Sequence, residues 1–253
     1  MTAAAGCVAF ATAASATSIS ISAFDINDFN AATANGSGFV IQDFENHGDF
    51  AIDGETNLVV DDGITETDGQ RSGELLGDLK TNVGTFSANG GTGSGTTCDA
   101  SGGNCQNLFL NYGDDNGQDN IVPDGGNWSL NANDTLGVIW DVVKGEGGLF
   151  NRVVFGIMDG ADQGAKVTVS IDEADVDPKS YSLQSDGNQK LIVIDFSTLV
   201  SSAKVTIASS KTNDSFSLDG ASVGVVPLPA GGLLLLTGLG ALGLYRRRKQ
   251  ADA

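Results

Sequence analysis

The segment AKVTVSID (Ala165–Asp172) alternates apolar and polar residues, placing Val167, Val169 and Ile171 on one face. Side chains of an extended chain point to opposite sides in turn, so such a segment makes a half-buried strand. The pattern recurs along the whole chain. It is read in SISISAF (Ser18–Phe24), GFVIQDF (Gly38–Phe44), NLVVD (Asn57–Asp61) and NLFLNY (Asn107–Tyr112). TLGVIWDVV (Thr135–Val143) puts Leu136, Val138, Trp140 and Val142 on one face, with Trp140 expected in the core. NRVVFGIMD, KSYSL, QKLIVIDF, AKVTIAS and SFSLDGASVG complete the set. The breaks DGADQG, QSDGNQ and KTND carry Gly, Asn and Asp, the residues that tolerate the positive φ of tight turns. No helical pattern separates the strands, although Phe196–Ala203 has room for one helical turn. Many short strands joined by turns predict an all-β fold, an antiparallel, jelly-roll-like β-sandwich.

Charge narrows the partners. Four of the thirteen basic residues form the terminal cluster Arg246, Arg247, Arg248 and Lys249, and of the 32 acids only Asp252 lies outside Thr17–Val225. That stretch therefore keeps nine basic residues against 31 acidic ones, a net charge of −22. Such a surface repels nucleic acid and anionic lipid and attracts divalent cations and basic partners. Nucleic acid is excluded as a partner.

Residues 1–16 read as a signal peptide. Ala3–Ala14 is apolar and built of small residues, and Ala14-Ser15-Ala16 fits a small-x-small cleavage site. The basic region that should open such a signal is missing, which places its true start upstream of Met1. Export implies an oxidising compartment, where Cys98 and Cys105 are expected to form a local disulfide. Two thiols with no neighbouring histidine are too few for a metal centre, and their spacing is not C-x-x-C.

The segment 87–128 is rich in Gly and Asp and reads as a long excursion from the sandwich, pinned by that disulfide. Acid clusters in GDDNGQDN (Asp114, Asp115, Asn116, Asp119, Asn120) and VVDDGITETDG (Asp61, Asp62, Asp68) have the oxygen density of calcium sites but not EF-hand spacing. They read as solvated loops. The one histidine, His47, has no identifiable nucleophile partner and reads as a loop residue. With a single histidine and few aromatics, no catalytic residue is assigned and a non-enzymatic protein is expected. Trp128, beside the excursion, is the candidate for stacking on a sugar.

Leu228–Tyr245 is 18 uncharged residues, eight of them Leu. As a helix rising ~1.5 Å per residue it would just cross a bilayer. The basic cluster after it would stay cytoplasmic, leaving the acidic domain on the far side of the membrane. Val226-Pro227-Leu228-Pro229-Ala230, the apolar run and the Arg246–Lys249 cluster together resemble the VPLPA variant of PEP-CTERM sorting signals. The resemblance covers about 24 residues, within a tail spanning 226–253. It implies a Gram-negative protein exported through the inner membrane and held by its tail. An exosortase would then cleave near the motif, leaving a domain at the cell surface or in the matrix with exopolysaccharide or biofilm.

Two further motifs, QDFENHG early and FSLDGASVG late, resemble the first and last strands of carbohydrate-binding jelly rolls. There a Phe-Glu and a late Asp share a structural calcium, and the matching residues here are Glu45 and Asp219. The resemblance implies a Ca2+ ion held by that pair. It leaves two expectations for residues 17–225: a non-enzymatic surface protein, or a carbohydrate-binding module or carbohydrate-active enzyme sent by the same route.

Overall fold

The computed structural model describes residues 16–34, 37–45, 51–52, 73–74, 78–90, 107–112, 120–145, 147–158, 166–172, 176–182, 189–212 and 215–227. Its elements are β1 (Ser18–Ala23), α1 (Ile26–Ala34), β2 (Ser37–Gln42), β3 (Ala51–Ile52), β4 (Gly73–Glu74), β5 (Leu79–Thr81), β6 (Gly84–Ala88) and β7 (Phe109–Tyr112). There follow β8 (Trp128–Asn131), β9 (Gly137–Val142), β10 (Phe150–Met158), β11 (Lys166–Ile171), β12 (Lys179–Ser182), β13 (Lys190–Val200), β14 (Ala203–Ser209) and β15 (Ser217–Val225). One sheet runs β1-β13-β10-β15-β8-β7-β4, with β2 also on β15. The other runs β12-β11-β14-β9-β6-β5-β3. All these pairings are antiparallel. The chain folds as a β-sandwich.

The alternation sets the core. Val138, Trp140 and Val142 of β9 and Val167 and Val169 of β11 meet Val153, Phe155 and Ile157 of β10 in one cluster spanning both sheets. Trp140 stacks on Phe86 at 5.0 Å between ring centroids and meets Phe155 edge-on at 5.9 Å. Its indole N–H donates to the Val83 carbonyl at 3.0 Å, so the buried ring leaves no polar atom unpaired. Leu136 departs from the expected face. It lies ahead of β9, 37% exposed, in a turn where Thr135 Oγ1 donates to the Ala132 carbonyl.

A third layer covers the outer face of the first sheet. Phe29 of α1, with Ile121 and Val122, packs on Val154, Met158 and Leu191 in a second buried cluster. The sheet is bare where this layer sits. A Cβ on Gly156 would stand 2.2 Å from Ile121 Cδ1, and one on Gly220 2.8 Å from Val122 Cγ2. Arg152 ties the helix down, pairing bidentately with Asp195 at 2.6 and 3.0 Å while Nη1 reaches the Ala32 carbonyl at 3.4 Å.

α1 corrects the expectation of helix-free connections. Asp25 caps it: Oδ1 accepts the Asn27 amide at 2.7 Å, and the Asp25 carbonyl accepts the Phe29 amide at 2.9 Å. Ile26, Phe29 and Thr33 then fall on one side at helical spacing. Where a helical turn was expected at Phe196–Ala203, β13 runs on to Val200 and β14 starts at Ala203. Val200 pairs with Phe150, and the β-branched Thr198 and Val200 suit the strand. Inside the 87–128 segment, β7 pairs with both β4 and β8, so this part belongs to the sheet.

Thr17–Val226 forms one compact unit. Residues 1–15 of the signal peptide, the expected strand NLVVD (57–61), His47, Cys98, Cys105, Asp61, Asp62, Asp68, the acids 114–119, and Leu228 onward, with the expected membrane helix and basic cluster, lie outside the described residues. Among the described residues no helix is long and apolar enough to cross a membrane.

Candidate functional site

The final strand creates the site. β15 changes partner along one edge: Ser217 and Leu218 pair with β8, whereas Ala221–Val225 pair with β2. Asp219 and Gly220 fall between the two partners. On the opposite edge the register with β10 shifts at the same place, and Gly220 takes φ +60°. Glycine permits that bulge at no steric cost. Into this gap comes the loop Asn120–Asn127, with Val122–Pro123 cis and the Gly126 amide bonded to the Pro123 carbonyl at 2.8 Å.

Two carboxylates hold the loop. Asp219, fully buried, accepts the Ile121 and Val122 amides on Oδ2 at 2.9 and 2.8 Å and the Gly220 amide on Oδ1 at 2.6 Å. Glu45 Oε1 accepts the Asn127 amide at 2.7 Å, the Trp128 amide at 2.9 Å and Asn120 Nδ2 at 2.9 Å. β2 lies antiparallel to β15, and this brings the early Glu and the late Asp to one loop. Burial pushes the Asp219 carboxyl well above the ordinary carboxylate range. The Val122, Ile121 and Gly220 amides draw it partly back, and the Glu45 charge adds to the rise.

The donor set bears on calcium. Asp219 turns both oxygens to N–H groups, which are wrong neighbours for a cation ligand. Glu45 Oε1 faces N–H groups as well, the Asn127 and Trp128 amides and Asn120 Nδ2, but further oxygens gather beside it. Oε1 and the carbonyls of Val122 and Trp128 converge on Asn120 Nδ2 at 2.9, 3.0 and 2.9 Å. These are oxygens of the type calcium takes, gathered here around an amide nitrogen. Among the described residues no group of three or more Asp, Glu, His or Cys side chains could hold a metal.

Trp128 opens β8 half-buried and packs against the core cluster. A concave feature of the described residues lies elsewhere. A cavity of about 410 Å³ opens between the end of β1, the start of α1 and the loop, lined by Phe24, Asp25, Asn120, Asp124, Gly125 and Gln189 among others. Sequence reasoning passed over Phe24, Asp25 and Asp124. Their signals were a helix cap in FDIN and a turn in VPDGG, both short enough to read as punctuation between strands.

No family model matches the chain, and no curated protein matches it. Several solved structures are similar in part, three of them as follows. One is TmCBM61 in complex with β-1,4-galactotriose, 13% identical over 46% of this chain and 80% of that one, at a TM-score of 0.31. The second is the CBM22-1–GH10 part of endo-1,4-β-D-xylanase 10B from Clostridium thermocellum, complexed with xylohexaose. It is 11% identical over 46% of this chain, at a TM-score of 0.30. The third is a family 43 arabinoxylan arabinofuranohydrolase from Bacillus subtilis in complex with cellotetraose, 15% identical over 48% of this chain, at a TM-score of 0.30. This chain spans 24% and 25% of the length of the latter two.

Proposed function

We propose that this is an exported, non-enzymatic surface or matrix protein whose sandwich binds saccharide of the surrounding exopolysaccharide. Its C-terminal signal holds it in the inner membrane until an exosortase cleaves near Val226–Ala230. The observation behind the proposal is where the fold ends. Val226, the first residue of the motif, is the last residue of the compact unit. Asn151 grips it from both sides, donating to its carbonyl at 2.9 Å and accepting its amide at 2.7 Å. Pro227 follows, exposed. A domain that ends on the first residue of the motif keeps its own contacts when the tail beyond Val226 is cut away. The saccharide part is supported by the cavity beside the loop, which falls within the ~300–1,000 Å³ of small-ligand clefts. A structural calcium at Glu45, with Asp219 holding the loop behind it, belongs to the same proposal.

Mass spectrometry of surface material tests the sorting. A mature C-terminus beyond Val226 and lacking Arg246–Lys249 is expected; an intact Lys249 in that material rejects cleavage. For the ion, millimolar Ca2+ is expected to raise the melting temperature of the wild type and not of Glu45→Gln. Identical melting in Ca2+ and in chelator removes calcium from the proposal.

A further inference from the structure

The cavity at the end of β1 carries chemistry of a definite kind. Its apolar wall is Phe24, a half-exposed ring backed by Phe29 at 6.2 Å between centroids. Gly156 lets that ring lie close to the sheet, since a Cβ there would stand 3.2 Å from Phe24 Cε2. The ring is therefore fixed before any ligand arrives, which lowers the ordering cost of binding. Its polar wall is made of acceptors. Asp124 is exposed at the rim, Asp25 spends only Oδ1 on capping α1, and Gln189 uses its amide nitrogen on the Met158 sulfur at 3.6 Å. None of the described lining residues is basic.

A ligand for this cavity needs one apolar face for the ring and several donors for the carboxylates and amide. Carboxylates and phosphates donate nothing and meet like charge, both here and across a domain of net charge −22. A purely apolar ligand would leave the acceptors desolvated and unpaired. A sugar ring has the needed form: C–H groups on a face and hydroxyl donors around the edge.

We propose that this cavity is the saccharide-binding site, built for a neutral or amino sugar and closed to uronic acids, with Phe24 as the stacking platform and Asp124 and Gln189 as hydroxyl acceptors. This rests on the saccharide-binding part of the function proposed above. Trp128, on the core side of its strand, does not line the cavity.

Calorimetric titration of the whole chain in mild detergent tests the assignment, with galactotetraose, xylotetraose, cellotetraose, chitosan tetramer and tetragalacturonate as probes. At least one neutral or amino tetramer is expected to bind, and tetragalacturonate is not. Phe24→Ala and Asp124→Ala are each expected to weaken that binding about tenfold. Asp124 is exposed, so its variant decides alone if Phe24→Ala fails to fold. Binding unchanged in both variants overturns the site and leaves saccharide binding standing. Preference for tetragalacturonate overturns the ligand class. Silence from every tetramer overturns saccharide binding and the site with it.

Discussion

Asp219 and Glu45 grip opposite ends of one loop: Asp219 takes the amides of Ile121 and Val122, and Glu45 those of Asn127 and Trp128. The carboxylates act as surrogate strand partners where β15 passes from β8 to β2. A loop laid across a sheet has amides that no strand can pair, and buried amides must be paired somewhere. Asp219→Ala leaves three buried amides without an acceptor. At about 1–3 kcal/mol for each unsatisfied group, partly relieved by relaxation, the variant is expected to lose at least 2 kcal/mol. Urea denaturation at pH 5 measures it. A loss under 0.5 kcal/mol would mean that the loop is held by other contacts.

The pH dependence of Asp219 follows from burial. Its folded-state pKa is raised above that of the unfolded chain, so the native state binds its proton more tightly. The stability it contributes is complete below the unfolded value, about 3.9, and is lost as pH rises through the folded value. The margin of wild type over Asp219→Asn should therefore be largest near pH 4 and shrink towards neutrality. Denaturation curves of both proteins at pH 4, 5.5 and 7 check this, and parallel profiles would refute it.

Gly156 is needed for what it lacks. Its Cβ position lies 2.2 Å from Ile121 Cδ1, with Phe24 close behind. In Gly156→Ala the Ile121 side chain must shift away from the new methyl group, and it is expected to draw with it the loop backbone that Asp219 holds. Overpacking of this kind costs about 1–3 kcal/mol. The loop should respond before the core does. Faster hydrogen exchange at the Ile121 and Val122 amides is expected, with Trp140 fluorescence unchanged. Unchanged exchange at both amides would show that the covering layer absorbs a methyl group freely.

What the sequence revealed follows the reach of each signal. Period-2 alternation marks strands whose two faces differ, and β9, β11 and β14 were legible for that reason. β10 is buried on both faces, under the core and under α1, so its composition announced a strand but not the third layer. α1 is nine residues long, too short for its spacing to stand out, and only the Asp25 cap marks its start. Glu45 and Asp219 could be paired only through the resemblance of their motifs to those of jelly rolls; the neighbouring β2 and β15 are what the structure adds. Their amide partners could not, because a hydrogen bond from the backbone of Ile121 or Val122 leaves no trace in residue identity. Phe24 was read as the last residue of an alternating strand, and its place in a cavity depends on a glycine far along the chain.

Asn151 sets the end of the fold. Asn151 is the one side-chain amide of β10, and both its hydrogen-bonding edges are committed to Val226. Asn151→Ala strands a part-buried N–H and carbonyl, costing about 1–3 kcal/mol if neither reaches water and less if the chain end lifts away. Lifting is the cheaper course, since only Pro227 and the tail follow. Global stability should then fall little while the Val226 amide loses its protection. Asn151→Asp keeps the acceptor for that amide but sets a carboxylate oxygen against the Val226 carbonyl, and should loosen the same residue. Native-state hydrogen exchange on the intact chain reads both variants. A Val226 amide as protected in Asn151→Ala as in wild type would show that β15 ends without this grip, and that the boundary of the domain is set by the pairing of Val225 with Ser37 alone.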